Sequence, residues 1–461
     1  MRTTPELDAH TGLEKLATYP YQVATWVDET GYPVSVAVEA AIDPAAGTAR
    51  FVAPAGVAMP NTGDISLTGS HIRPQPGYGY DERRHVTVWG PAVVTAGSVT
   101  VRGHTAWGWD EAEVPFFEYS ERSVGKSRKY FDALSAERGT PVKPRLSLGF
   151  LTLRSTRLPF LTATLVPVTL GILIAARQGS FDLVAALLTI VSACFVHLGL
   201  NVSNDVFDTI QGADDANVTP TQFSGGSRVI QYGLVTLRQM AALSAVFYVM
   251  AGVLGLVLLA TRGSTALLLI GVVGIVVSLG YTAPPLKFVY RGLGEIAVAL
   301  GFGPFMLVGA YVVQTRGGLS WEPFAASIPV ALLVALILYV NEIPDRRGDS
   351  HAGKRTLPVR FSRRAVIAGY NLAAAGAYAA IVAAVVAGVL PVPAVLMLLT
   401  IPLALQVSRG LEPNYDNPYG LMAVMGVNVR LHLAAGLALL AGYAIVLVAG
   451  AVAPGVNLFI G

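Results

Sequence analysis

The chain has 461 residues, 53% of them hydrophobic and only 13% charged, with a formal net charge of +3 and a single cysteine, Cys194. So low a charged fraction excludes an ordinary soluble protein of this length. The small net charge gives no case for nucleic-acid binding, and one thiol excludes a disulfide framework or a cysteine metal site. Positions 1–158 hold 17 acidic and 16 basic residues, whereas the remaining 303 hold only 12 and 16. The expected organisation is therefore multidomain, with a soluble domain over 1–150 and a membrane domain over 151–461. Residues 1–20 lack an apolar core flanked by basic residues, so no signal peptide is expected and the first domain should stay in the cytosol.

Along the first domain, residues 17–110 read as short strands between turns. Val23–Val27, a turn over Asp28–Pro33 and Val34–Val38 make a hairpin pattern, followed by strands near Arg50, Ile65–Thr68, His85–Val94 and Val99–Val101. A helix is expected near Pro115–Glu137. This order resembles the pyridoxamine-phosphate-oxidase-like split β-barrel. The resemblance implies an FMN or deazaflavin cofactor and a homodimer formed through the barrel. Arg73, Arg83, Arg84 and the Lys126-Ser-Arg128-Lys129 cluster are the candidates for a cofactor phosphate; a solvated surface or anionic lipid is the competing reading.

From Pro159 onward, nine apolar stretches approach the roughly 20 helical residues a bilayer crossing needs. They lie near 159–176, 183–203, 239–261, 265–281, 294–314, 323–342, 365–388, 391–408 and 431–454. With a cytoplasmic N-terminus, the even-numbered connections are also cytoplasmic. They hold 13 of the 16 Lys and Arg, against Arg177, Arg262 and Arg316 on the opposite side. The positive-inside rule thus predicts a multi-pass protein of the cell inner (plasma) membrane, N-terminus inside and C-terminus outside.

Seven of the 12 acidic residues beyond position 158 fall in two segments that end even-numbered spans. The first runs Asn201-Val-Ser-Asn204-Asp205-Val-Phe-Asp208, then Gly212-Ala-Asp214-Asp215; the second runs Asn341-Glu342-Ile-Pro-Asp345-Arg-Arg-Gly-Asp349. On helices, Asn201, Asp205 and Asp208 share a face, as do Asn341, Asp345 and Asp349. Stacked carboxylates near lipid demand a cation, and oxygen-only ligands suit Mg²⁺ shared with substrate phosphates. Ser224-Gly-Gly-Ser227-Arg228 offers backbone N–H groups beside a guanidinium, a phosphate-holding combination. Tyr281, Lys287, Arg291, Lys354 and Arg355 add a hydroxyl and further cations on the same side. Solvated helix ends and topology anchors are the bland reading of each motif taken alone.

Together these segments resemble the UbiA superfamily of membrane prenyltransferases from about Pro159 to the C-terminus. The family's first motif, Asn-Asp-x-x-Asp-x-x-x-Asp, is matched by Asn204, Asp205 and Asp208. It departs at Gly212, leaving Asp214 and Asp215 as alternatives for the last acid. That variant, with Ser224–Arg228, Tyr281–Lys287, Gly292-Leu-Gly-Glu295 and Gly353–Leu357, is similar to the 1,4-dihydroxy-2-naphthoate branch. The resemblance implies a nine-span all-α bundle and a Mg²⁺-dependent transfer from a polyprenyl diphosphate to an aromatic acceptor. Asn204, Asp205, Asp208, Asp214, Asn341, Asp345 and Asp349 become the expected metal ligands. Asn201, Ser227, Arg228, Tyr281, Lys287, Arg291 and Lys354 become the expected substrate contacts, with Asp208, Asp345, Lys287 and Arg228 catalytic. Another phenolic or lipid acceptor, a flavin-linked quinone-binding redox protein and a transporter are the alternatives. A haem-type acceptor is disfavoured, since His197 reads as a bundle residue.

Overall fold

The computed structural model describes residues 6–28, 31–59, 63–74, 80–143, 146–453 and 455–460. The chain divides into two compact units, Met1–Lys129 and Tyr130–Gly461. Glu29 and Thr30, in the turn of the expected first hairpin, lie outside the described residues.

Among the described residues, the first unit holds nine strands: β1 (Glu6–Leu7), β2 (Gln22–Val27), β3 (Pro33–Val38), β4 (Ala41–Asp43), β5 (Thr48–Val52), β6 (Asp64–Pro74), β7 (Tyr80–Thr95), β8 (Ser98–Arg102) and β9 (Thr105–Asp110). They form one antiparallel sheet in the order β3-β2-β6-β7-β8-β5-β4, with β9 against β7 and β1 against β9. The long β7 pairs with β9 over Arg84–Trp89 and with β8 over Ala92–Thr95, so one strand joins two groups of strands. Gly90 sits at that change, where a Cβ would lie 1.8 Å from the Arg102 carbonyl oxygen. Only glycine permits the approach. Period-2 alternation buries Ala24 and Trp26 on β2, Ile65 and Leu67 on β6, and Val86 and Val88 on β7. Leu13 and Leu16 from helix α1 (Ala9–Leu16) close this core. A side chain of their kind contributes about 1.5–3 kcal/mol on full burial. Helix α2 (Phe116–Arg138) runs across the unit division. Sequence patterning had no signal for β1, β4, β9 or α1, which are short or lack alternation.

The second unit is helical: α3 (Leu148–Thr156), α4 (Thr162–Arg177), α5 (Leu183–Ile210), α6 (Ala213–Ala216), α7 (Leu237–Arg262), α8 (Thr265–Gly280), α9 (Gly294–Gln314), α10 (Trp321–His351), α11 (Arg363–Val386), α12 (Val392–Asn414) and α13 (Pro418–Val452). Among the described residues, α5, α7 and α9–α13 are the seven helices long and apolar enough to cross a membrane. The first and fourth expected spans are shorter apolar helices, α4 and α8, each of 16 residues. Polar caps start these elements where the sequence turns apolar. Asp182, Ser264, Ser320 and Ser362 each accept a first-turn N–H, and Thr236 with Gln239 makes a reciprocal capping box on α7. A core of Leu, Val, Ala and Tyr side chains joins α4 and α9–α13. On α7 and α8 the apolar side chains Val249, Leu256, Leu269 and Val272 point outward instead, as lipid-facing residues do.

Candidate active site

Both acid motifs end long helices: the first closes α5 and continues into α6, and the second closes α10. They converge on a chamber of about 160 Å³ lined by Asn201, Asn204, Asp208, Asp214, Asn341, Asp345, Asp349 and Lys354. Lys354 links the two motifs, its Nζ lying 3.1 Å from Asp208 Oδ2 and 3.8 Å from Asp349 Oδ1. Burial alone would lower the Lys354 ammonium; the carboxylates of Asp208 and Asp349 overcome it and hold the group well above its usual range. Asp208 also accepts from the Tyr290 hydroxyl at 2.8 Å and from Asn204 Nδ2 at 3.1 Å. Asp345 accepts from Asn217 Nδ2 at 2.8 Å and from the Gly225 N–H at 2.9 Å.

The two candidate last acids of the first motif have different surroundings. Asp214 is buried and lines the chamber, whereas Asp215 is exposed. The Asp214 carboxyl is pushed well above the usual range, first by burial and then by the carboxylates of Asp208 and Asp205. Three buried oxygens, Asp214 Oδ2, Asn341 Oδ1 and Asp349 Oδ2, have no hydrogen-bond partner among the described residues. Repelling carboxyls and orphaned oxygens of this kind fit a hard divalent cation such as Mg²⁺. Among the described residues, no three His, Cys, Asp or Glu side chains draw close enough to hold a metal unaided. A site of this make-up suits a cation that keeps waters and shares substrate phosphates.

Several expected contacts are placed differently. Asp205 does not line the chamber: the residues on the chamber face of α5 are Asn201, Asn204 and Asp208, spaced i, i+3 and i+7. Asp205 is turned to Arg157, which ion-pairs with it, and to the Ser227 N–H at 3.1 Å. The N–H groups of Gly225 and Ser227 are thus donated to carboxylates, one in each motif, rather than left for phosphate. The segment straps α5 to α10, and Gly225 (φ +77°) and Gly226 (φ +76°) give it the left-handed turns to do so. Arg228 is buried behind the chamber and donates to the Asp214 carbonyl, fixing α6. Lys287 lies over the Tyr290 ring at 5.6 Å, and exposed Arg291 donates to the Pro285 carbonyl at 2.8 Å; neither lines the chamber. In the first unit, Arg73 pairs with Asp81 at 2.9 Å and Glu82 at 3.0 Å, and Arg83 pairs with Glu111. Of the three arginines considered for a cofactor phosphate, these two already have carboxylate partners, and Arg84 is exposed.

Arg157, Asn217 and Tyr290 are chamber or chamber-wall residues that sequence reasoning missed, and Glu342, read there as part of the second acid segment without a role of its own, also lines the chamber. Arg157 follows α3 in a left-handed conformation (φ +52°) and looks in sequence like one more basic residue ahead of a span. Asn217 and Tyr290 lie outside the acid motifs, and only the tertiary contacts with Asp345 and Asp208 reveal them.

The chamber opens into an apolar groove of about 390 Å³ between α5, α7, α8 and α9. Chamber and groove share His197, Leu200, Tyr281, Val298 and Phe302. His197 is buried, bonded to the Thr164 hydroxyl at 2.7 Å and set edge-on to the Phe302 ring at 4.8 Å.

Residues 164–418, more than half of the chain, match the UbiA prenyltransferase family. The chain is 28% identical over 296 residues to the 2-carboxy-1,4-naphthoquinone phytyltransferase of Synechocystis sp., covering 64% of this chain and 92% of that protein. It is 27% identical over 289 residues to the 1,4-dihydroxy-2-naphthoate octaprenyltransferase of Bacillus subtilis, covering 62% and 90%. Among solved structures, a UbiA homolog from Archaeoglobus fulgidus bound to GPP and Mg²⁺ aligns with a TM-score of 0.45 at 15% identity, covering 63% of this chain and 99% of that chain. On the family match, with two acid motifs closing two helices of a multi-pass bundle, this chain belongs to the UbiA prenyltransferase family and is a prenyltransferase.

Proposed function

We propose that the second unit transfers a polyprenyl group from an allylic polyprenyl diphosphate to 1,4-dihydroxy-2-naphthoate. The observation that carries this is the chamber itself, in which acids from α5, α6 and α10 face one another, bridged by Lys354, at the mouth of an apolar groove. The diphosphate head lies in the chamber and the prenyl tail in the groove. Asn204, Asp208, Asp214, Asn341, Asp345 and Asp349 hold Mg²⁺, which when bound supplies positive charge to the departing diphosphate. Lys354 adds an ammonium fixed before the reaction begins, the arrangement that stabilises developing charge most effectively. Apolar walls exclude water, which would otherwise quench an allylic cation. The choice of naphthoate rests on the substrates named for the cyanobacterial and Bacillus relatives.

The nine apolar helices form nine spans, α4 and α8 included, and the basic bias of the even connections supports a chamber on the cytoplasmic side of the plasma membrane. The first unit, with β7 shared between two groups of strands, is read as a split barrel that binds FMN or a deazaflavin and dimerises the enzyme. Flavin absorbance in the purified protein, or a thermal shift on adding FMN, tests the cofactor.

The decisive experiment incubates the membrane protein with Mg²⁺, labelled geranylgeranyl diphosphate and a panel of aromatic acceptors, with product identified by mass. Prenylated naphthoate is expected from the wild type, and none from Asp208→Ala or Asp345→Ala, both still inserted. Wild-type turnover in either variant would falsify the metal assignment.

A further inference from the structure

A second apolar groove, of about 400 Å³, lies between α9, α10 and α11 and shares no lining residue with the chamber or with the groove that opens from it. The two grooves divide α9 between them: Ala297, Val298 and Gly301 line the first, Ile296 and Ala299 the second. Small residues recess the walls of the second, with Ala335 on α10 and Ala365, Gly369 and Ala373 at four-residue steps on α11. The Tyr339 hydroxyl donates to the Val366 carbonyl at 2.9 Å, and Glu295 and Glu342 share a side-chain hydrogen bond. The polar side chains of the lining are thus engaged within the protein, and what faces the groove is hydrocarbon. From Ala365 to Ala373 the groove follows α11 for about 12 Å. That is slightly less than one leaflet of a hydrocarbon core about 30 Å thick, so the groove suits one acyl chain.

Its mouth lies at the end of the helices that carries the second acid motif, and it is basic. Ile296 and Phe361, 58% and 54% exposed, belong to the lining there. Arg360 directly precedes Phe361, Arg364 directly precedes Ala365, and both arginines are exposed. Arg360 is held in place: its Nη2 donates to the Arg291 carbonyl at 2.8 Å. Its guanidinium passes so close to Gly292 (φ +70°) that a Cβ there would lie 2.9 Å from Cζ. Among the described residues neither Arg360 nor Arg364 has a carboxylate partner, whereas Arg346 and Arg363 both pair with Asp416. Two uncompensated guanidinium groups above a hydrocarbon slot are complementary to a lipid with an anionic head. A zwitterionic head would set its own cation against the same arginines.

We propose that this groove is a binding site for an anionic phospholipid, with one acyl chain in the slot and the head phosphate held by Arg360 and Arg364. The lipid packs against α10 just ahead of its acid motif and fills a gap that protein side chains leave between three helices.

The test uses the full chain in dodecyl maltoside, with phosphatidylglycerol, phosphatidylcholine, inorganic phosphate and Mg²⁺-free geranylgeranyl diphosphate as probes. Native mass spectrometry counts bound lipid, and the rise in unfolding temperature with lipid concentration gives affinity. One phosphatidylglycerol per chain is expected, bound about 30-fold more tightly than phosphatidylcholine, the factor due to two arginines beside an anionic head. Arg360→Gln with Arg364→Gln should bring the two lipids to within about three-fold of each other. Ala365→Leu with Ala373→Leu should weaken both lipids alike, because it fills the slot and leaves the arginines. Each variant's unfolding transition without lipid reports that it is folded. Equal affinity for the two lipids in the wild type, or a preference that survives the arginine double variant, would overturn the proposal. Undiminished lipid binding in the leucine double variant would put the acyl chain elsewhere and overturn it too. Displacement of phosphatidylglycerol by inorganic phosphate would leave a phosphate site only, and displacement by geranylgeranyl diphosphate a further site for prenyl substrate; either result would sink the phospholipid assignment.

Discussion

Replacing Lys354 by Met tests how the acid chamber is held together before substrate arrives. The ammonium lies 3.1 Å from Asp208 and 3.8 Å from Asp349, and its side chain is only 12% exposed. At an effective dielectric near 20, those separations correspond to about 5 and about 4 kcal/mol of attraction. Desolvation of the partners offsets much of this, so the net effect of breaking the pair is the roughly 3–5 kcal/mol typical of a buried charge left alone. In detergent, Lys354→Met should therefore unfold on the order of 5–10 °C below wild type. Adding Mg²⁺ with geranylgeranyl diphosphate should restore part of the difference, because a bound cation takes over the neutralisation. Transfer should still fall by about 10²-fold or more, since one preorganised charge is gone from the proposed diphosphate site. The assay pairs thermal unfolding with product formation across a Mg²⁺ series. Unchanged unfolding temperature together with unchanged turnover would refute the reasoning, because Lys354 would then be a topology anchor only.

Further outcomes follow from other contacts. Arg157→Met leaves Asp205 buried without its cation; discounted for the partial exposure of Arg157, about 2–4 kcal/mol of stability should be lost, read from thermal unfolding in detergent. Gly226→Ala adds a Cβ 2.8 Å from both Asp214 carboxylate oxygens at a φ of +76°, so transfer should collapse while the protein still inserts; full activity would contradict the assigned place of Asp214. In the first unit, the Glu111 carboxyl is held below its usual value chiefly by its hydrogen bond from Arg83. Such a carboxylate stabilises the fold above its unfolded pKa, and the contribution is lost as pH falls through the lowered folded value. Arg83→Met should accordingly flatten the acid limb of the first unit's unfolding curve by up to about 1 kcal/mol, the worth of a partly exposed pair.

Much of this molecule was legible in its sequence, for definite physical reasons. Runs of apolar residues bounded by Asp182, Ser264, Ser320 and Ser362 define helices because a span must satisfy its own backbone and a cap must start it. Acids spaced three and four apart on an otherwise apolar helix end have few uses besides binding a cation, so Asp208, Asp345 and Asp349 were visible as a set. The hairpin of β2 and β3 followed from alternation on either side of a turn. What the tertiary structure decided is which way each group faces and what it meets. A four-residue spacing put Asp205 with Asn201, yet packing against Arg157 and Ser227 turned it away and left Asn204 on the chamber face. Arg228, Lys287 and Arg291 carry the right charge, but their reach is spent on the Asp214 carbonyl, the Tyr290 ring and the Pro285 carbonyl. Lys354 bridges acids more than a hundred residues apart in one direction and five apart in the other. Local patterning determines which residues are chemically able to form a site; contacts across the chain, set by how helices pack, determine which of them do.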